Sequence, residues 1–340
     1  GLHWPDLALA QAEHATALNE HIKQKCLLLL SLDRFSDFMS DKSNMTNRAL
    51  AAEILVLSFA RVRNFASYFF INEILFAQSI KSGWEPKQAF MFLAKKMLES
   101  DAGSDAGSVG ELALAPSELS ILLKQVEKVM DEHEEISEIS CELLLSVLQR
   151  APTHVDSAYV QRMQERLCAC LERAEDISYL PKPAFELLLH LLRAGLLSAD
   201  VEPRLPPLIR KFLFHNNEEV RAVMFDFVRA YFGTLAGRLH SVDESQLVFF
   251  FRSILLYHCA EPRREERDAI ADVLARILDA AGSPAHKSSM CALFTQLLDC
   301  ARLDEVLAGL ADDFPNHTDA VREIDWLYVS ELLVLVLQRQ

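Results

Sequence analysis

Glycine and proline are scarce in this chain, at 10 and 12 residues out of 340. Sheet proteins need turn chemistry about every 8–12 residues; this sequence lacks it over most of its length, which leaves an all-helical chain as the economical reading. Long hydrophobic runs are missing too. No apolar stretch reaches the roughly 18 residues of a membrane span, and the opening GLHWPDLALA has no basic leader region, so no membrane partner is expected. Positive charge is in deficit, with 34 Lys and Arg against 49 Asp and Glu and a formal net charge of −15. Duplex nucleic acid repels such a surface unless the cations gather on one face.

A disulfide framework is also lacking. The seven cysteines, Cys26, Cys141, Cys168, Cys170, Cys259, Cys291 and Cys300, are odd in number and sit mostly in apolar helical patterns. That is the usage of reduced, buried thiols, and it points to an intracellular protein.

Catalytic signatures are absent as well. DEHEEIS supplies His133 and Glu134, but position 137 is Ser, so the second His of a zinc-protease helix is missing. Cys168 and Cys170 stand about 200° apart around a helix, which points them away from a shared metal. The glycines of GSDAGSVG lack the Lys-Ser/Thr of a phosphate loop. His258 and Cys259, with Cys291 and Cys300 downstream, have no spacing that requires a metal, and core packing is their commoner use. No catalytic, cofactor or metal residue is therefore assigned, and no enzyme is expected.

What the chain does have is 51% hydrophobic and 24% charged residues, the balance of a folding sequence. Its prolines at 86, 116, 152, 181, 183, 203, 206, 207, 262, 284 and 315 stand nearly always between apolar periodic segments. Proline is tolerated in the first turn of a helix and excluded from interiors, so these positions read as helix starts. They predict helices near 6–30, 44–62, 65–82, 87–99, 117–132, 135–150, 155–174, 183–195, 204–214, 218–235, 243–259, 263–281, 285–300, 303–313 and 318–338.

Within these segments the period is 3.6. Leu205, Leu208, Ile209, Phe212 and Leu213 form one stripe, and Val220, Val223, Met224, Phe227, Val228 and Tyr231 a second. Only HNN lies between them, so the two helices are expected to run antiparallel and bury their stripes on each other.

Leu205, Pro206, Leu208, Phe212, Leu213, Asn216, Val220 and Arg221 together resemble the HEAT repeat of the armadillo-type superfamily. Asn216 stands where the family usually has Asp, and Met224 where it usually has a small residue. Looser echoes occur at Arg48, at Arg267 after Pro262, and at Val321 with Arg322. The resemblance implies an all-α, right-handed α-solenoid of stacked antiparallel helix pairs, roughly eight of them at about 40 residues each. The expected organisation is an N-terminal helical part over 1–99, a flexible acidic Gly/Ser loop over 100–116, and a HEAT-like array over 117–340. Ser100, Ser104 and Ser108 of the loop neighbour acids and suit an acid-directed kinase; a plain solvated loop is the simpler reading. The sequence opens without an initiator Met and stops inside the apolar run SELLVLVLQRQ with no helix C-cap, so a portion of a longer protein in a multi-subunit complex is expected.

The implied function is a non-enzymatic scaffold that presents a helical surface to a protein partner, a peptide or a helix. On the helix over 218–235, Arg221, Phe225, Arg229 and Phe232 recur on one flank, and aromatic and Arg side chains are enriched at binding hot spots. The alternative use of that flank is a seam, with Arg221 bonding a neighbouring repeat and the two Phe rings packing between repeats. Phe249, Phe250 and Phe251 cannot all face one core, and Trp84 reads as a staple over helix ends. A chromosome-associated HEAT subunit is the alternative function. It would contact nucleic acid through a local patch such as Arg204, Arg210 and Lys211, or Arg263, Arg264 and Arg267.

Overall fold

The computed structural model describes residues 50–54, 84–99, 116–175, 177–213, 215–236 and 271–272, together with 308 and 334. Among them are seven α-helices, two short 3-10 turns and no strand. The helices are α1 (Glu85–Glu99), α2 (Pro116–Val129), α3 (Glu134–Arg150), α4 (Ser157–Arg173), α5 (Pro181–Arg193), α6 (Leu205–Phe212) and α7 (Glu218–Ala236). The all-α expectation holds for these residues, and each helix agrees with its expected span to within three residues. The short stretches at 50–54 and 271–272, and residues 308 and 334, are helical where helices were expected. The helices expected over 6–30, 65–82, 243–259 and 285–300 lie outside the described residues. So do positions 100–115 of the expected loop and Phe249, Phe250 and Phe251.

Local chemistry explains the boundaries. Pro116 opens α2, Pro181 opens α5, and Pro206 and Pro207 stand in the first turn of α6, where a missing N–H costs nothing. α5 ends in a Schellman motif: Leu196 N–H donates to Leu191 O at 2.8 Å and Gly195 N–H to Leu192 O at 3.1 Å. Gly195 carries the left-handed conformation this requires, with φ +68°. At the start of α4 the Asp156 Oδ1 accepts the Ala158 N–H at 3.4 Å.

The chain forms two compact units, Gly1–Cys170 and Leu171–Gln340. In the first, α1 packs on α3. The Lys87 ammonium pairs with Glu132, Lys95 with Glu142 at 2.7 Å, and the Arg150 guanidinium donates to Glu99 O at 2.9 Å. Partner numbers rise together along both helices, so α1 and α3 run parallel, with partners 45 to 51 residues apart. α2 and α4 repeat the arrangement at 35 or 36 residues: Tyr159 Oη–H donates to Leu123 O at 2.9 Å, Arg162 pairs with Glu127 at 2.6 Å and Arg166 with Asp131 at 2.7 Å. α2 reverses into α3 through the tight turn 130–133. There the Trp84 ring stacks on His133 at 4.6 Å and 12°, a staple over the start of α3.

In the second unit α5 packs on α7, again in parallel. Lys182 pairs with Glu219 at 2.6 Å, and Phe185 meets Phe227 edge-on at 5.1 Å. Phe185, Phe212 and Phe227 are among the largest fully buried side chains, so aromatic rings from α5, α6 and α7 share one core. All five residues of the α6 stripe are buried. On α7 the buried arc is shifted from the expected stripe: Val220, Met224, Phe227, Val228 and Tyr231 are buried, Val223 is only half-buried, and Phe225 on the opposite edge is buried as well, because this helix packs against both α5 and α6.

Candidate interaction surface

The turn between α6 and α7 sets the position of the candidate flank. α7 is capped by Asn217, whose Oδ1 accepts the N–H of Glu219 at 2.8 Å and of Val220 at 3.4 Å. His215 is buried, and its Nδ1 accepts the Asn217 N–H at 3.0 Å. Arg221 reaches back over this turn and donates through Nη1 to His215 O at 2.8 Å and Asn216 O at 2.9 Å. Its guanidinium thus bonds the carbonyls of its own turn, whereas the seam use of the flank had it bonding a neighbouring repeat. The reason is length: one helical turn brings residue 221 back over the turn, and the carbonyls past the end of α6 need donors.

Farther along α7, Phe225 is only 5% exposed. The Arg229 guanidinium lies over its ring, 5.9 Å from the centroid, and pairs with Asp226 at 3.0 Å. Arg229 stays 37% exposed along its side chain and Asp226 47%. The structure therefore brings Phe225 and Arg229 together as a cation–π pair and holds Arg221 in the turn. Phe232 belongs to the same helix, and its side chain lies outside the described set.

The basic cluster at Arg204, Arg210 and Lys211 is largely engaged within the unit. Arg204 pairs with Glu172 at 2.7 Å. The Lys211 ammonium donates to Leu171 O at 3.3 Å, to Glu172 O at 3.1 Å and to Ala174 O. A cation over the last carbonyls of α4 offsets the negative end of that helix. Arg263, Arg264 and Arg267 lie outside the described residues.

Sequence reasoning missed Ile177 and Tyr179 on the connection from α4 to α5, 68% and 59% exposed. The backbone here is held by its own bonds, Ser178 N–H to Glu175 O at 3.0 Å and Leu180 N–H to Ser178 Oγ at 3.1 Å. Burying Ser178 and Leu180 turns the residues between and before them outward. The alternation in ISYLP was the available signal.

Ionisation follows the same pairings. The hydrogen bonds from Arg162 hold the Glu127 carboxyl below the ordinary carboxylate range, and Arg204 does the same for Glu172. For Lys95 burial pulls downward, but Glu142 and then Glu99 outweigh it and the ammonium stands above its usual value. Burial pushes the Tyr159 hydroxyl and the Cys141 thiol up. Cys141, Cys168 and Cys170 are buried, and Ser137 Oγ donates inward to Met130 O at 2.6 Å. Among the described residues no group of His, Cys, Asp or Glu could hold a metal ion, and no helix is long and apolar enough to cross a membrane.

Comparison of the chain with protein-family models and with curated proteins gives no match.

Proposed function

We propose that this chain is a helical-repeat scaffold of HEAT or armadillo type that works inside the cell by holding a protein partner within a larger complex, without catalysis. The observation that carries the reading is the repeated parallel stacking of alternate helices, α1 on α3, α2 on α4 and α5 on α7, with partners 35 to 51 residues apart. Helix-pair solenoids stack units of about 33–47 residues in this way, because one pair cannot bury both of its faces. The engagement of Lys211 and Arg221 by backbone carbonyls supports contact with protein over contact with phosphate. Of the candidate flank, the Arg229 guanidinium on its Phe225 platform is the part poised to meet a partner's carboxylate, with Asp226 as the group it would exchange. Ile177 and Tyr179 add apolar area on the same unit.

The test is affinity purification from cell extract with the chain as bait, beside Arg229→Glu and an Ile177→Ser, Tyr179→Ser double variant, each shown by circular dichroism to keep its helix content. A partner recovered by the parent and lost by either folded variant supports a contact surface on this unit. Equal recovery by all three removes both surfaces from the proposal.

A further inference from the structure

We propose that His215 is an acid-sensitive latch on the turn that joins α6 to α7. The ring is buried, 5% exposed, and lies against Phe212 with centroids 6.5 Å apart. Its Nδ1 accepts the Asn217 N–H at 3.0 Å. A ring nitrogen that accepts carries no proton, so the imidazole is neutral with its hydrogen on Nε2.

Much depends on that one state. The bond places Asn217, whose Oδ1 then caps the Glu219 and Val220 amides of α7. The same turn presents the His215 and Asn216 carbonyls to Arg221. A proton on Nδ1 turns the acceptor into a donor facing another donor. The Asn217 amide is released, the first turn of α7 loses its cap geometry, and Arg221 loses the fixed carbonyls it spans.

The charged and titratable groups on the elements around this turn are Glu172, Arg173 and Glu175 at the end of α4 and after it, where Lys211 reaches, Lys182, Glu186, His190 and Arg193 on α5, Arg210 and Lys211 on α6, and Glu218, Glu219, Arg221, Asp226 and Arg229 on α7. Glu172 is paired with Arg204 and Glu219 with Lys182. Arg221 touches His215 itself, through its carbonyl, and places a positive charge beside any imidazolium. The latch is closed while the ring is neutral and opens when acid protonates it. It stands independently of the partner-binding reading.

The experiment is hydrogen exchange on the full chain at pH 7.5 and pH 5.0, corrected for intrinsic rates, reading the amides of residues 217–221. The parent is expected to lose about tenfold in protection there on acidification, while α5 changes little. His215→Asn keeps a side-chain acceptor for the amide two residues on and does not titrate, so its exchange is expected to change less than about twofold. Unchanged protection in the parent overturns the latch, and so does an equal loss in His215→Asn. If that variant does not fold, the ring nitrogen shifts of the parent decide. A proton on Nε2 at pH 7.5 and a second one gained on acidification support the latch; a proton on Nδ1 at pH 7.5 overturns it.

Discussion

Two residues, Lys211 and Gly195, show how single positions finish helix ends in the second unit. The Lys211 ammonium meets three carbonyls at the end of α4, using its whole donor set. Lys211→Met keeps the stem and removes the donors, and it is expected to cost about 1–3 kcal/mol, read as a lower denaturant midpoint. Gly195 is held at φ +68° with nothing within 4 Å of the place a Cβ would occupy, so the cost of Gly195→Ala is backbone conformation alone. It should come to about 1 kcal/mol, with Gly195→Asn milder because Asn tolerates the left-handed region. Neither role was legible beforehand. Lys211 meets α4 only after the chain has reversed twice, and a sequence carries no local mark of that meeting. Arg221 is similar: its position over the turn follows from helix geometry, while the carbonyls it takes depend on where α6 stops. The cap is Asn217, the residue after the Asn216 of the resemblance, and Asn216 contributes its backbone oxygen to Arg221.

Helices were far more legible than their partners. Proline at first turns and the 3.6-residue stripe are local signals; α1, α2, α5 and α6 carry the proline, while α3, α4 and α7 lack it. The stripe on α6 is buried throughout; α7 leaves Val223 half-buried and buries Phe225, which its amphipathic pattern alone did not require. Truncation should register that shared core: Phe227→Ala is expected to cost about 3–5 kcal/mol in thermal or denaturant unfolding, and Phe225→Ala less, since its ring is covered on one side by Arg229. Ion pairs between elements respond to pH. The Glu127 and Glu172 carboxyls are held below their unfolded values, so their stabilisation is present above about pH 4.5 and is lost as pH falls through the lower, folded values. For the half-exposed Glu172 and Arg204 pair the loss should stay under about 1 kcal/mol. Acid titration followed by circular dichroism is the check, and Arg204→Gln should flatten the acid limb by the Glu172 contribution.

For the whole molecule, two units each show the same habit of alternate helices lying parallel, at separations that match a helix-pair repeat. The helical-repeat arrangement proposed above accounts for that habit and for the long, glycine-poor sequence that produces it. Zero-length carbodiimide cross-linking of the native chain, with the linked peptides mapped by mass spectrometry, tests this most directly. The account predicts amide links between Lys87 and Glu132, Lys95 and Glu142, and Lys182 and Glu219. Crossed links, Lys87 with Glu142 and Lys95 with Glu132, would make α1 and α3 antiparallel and contradict it.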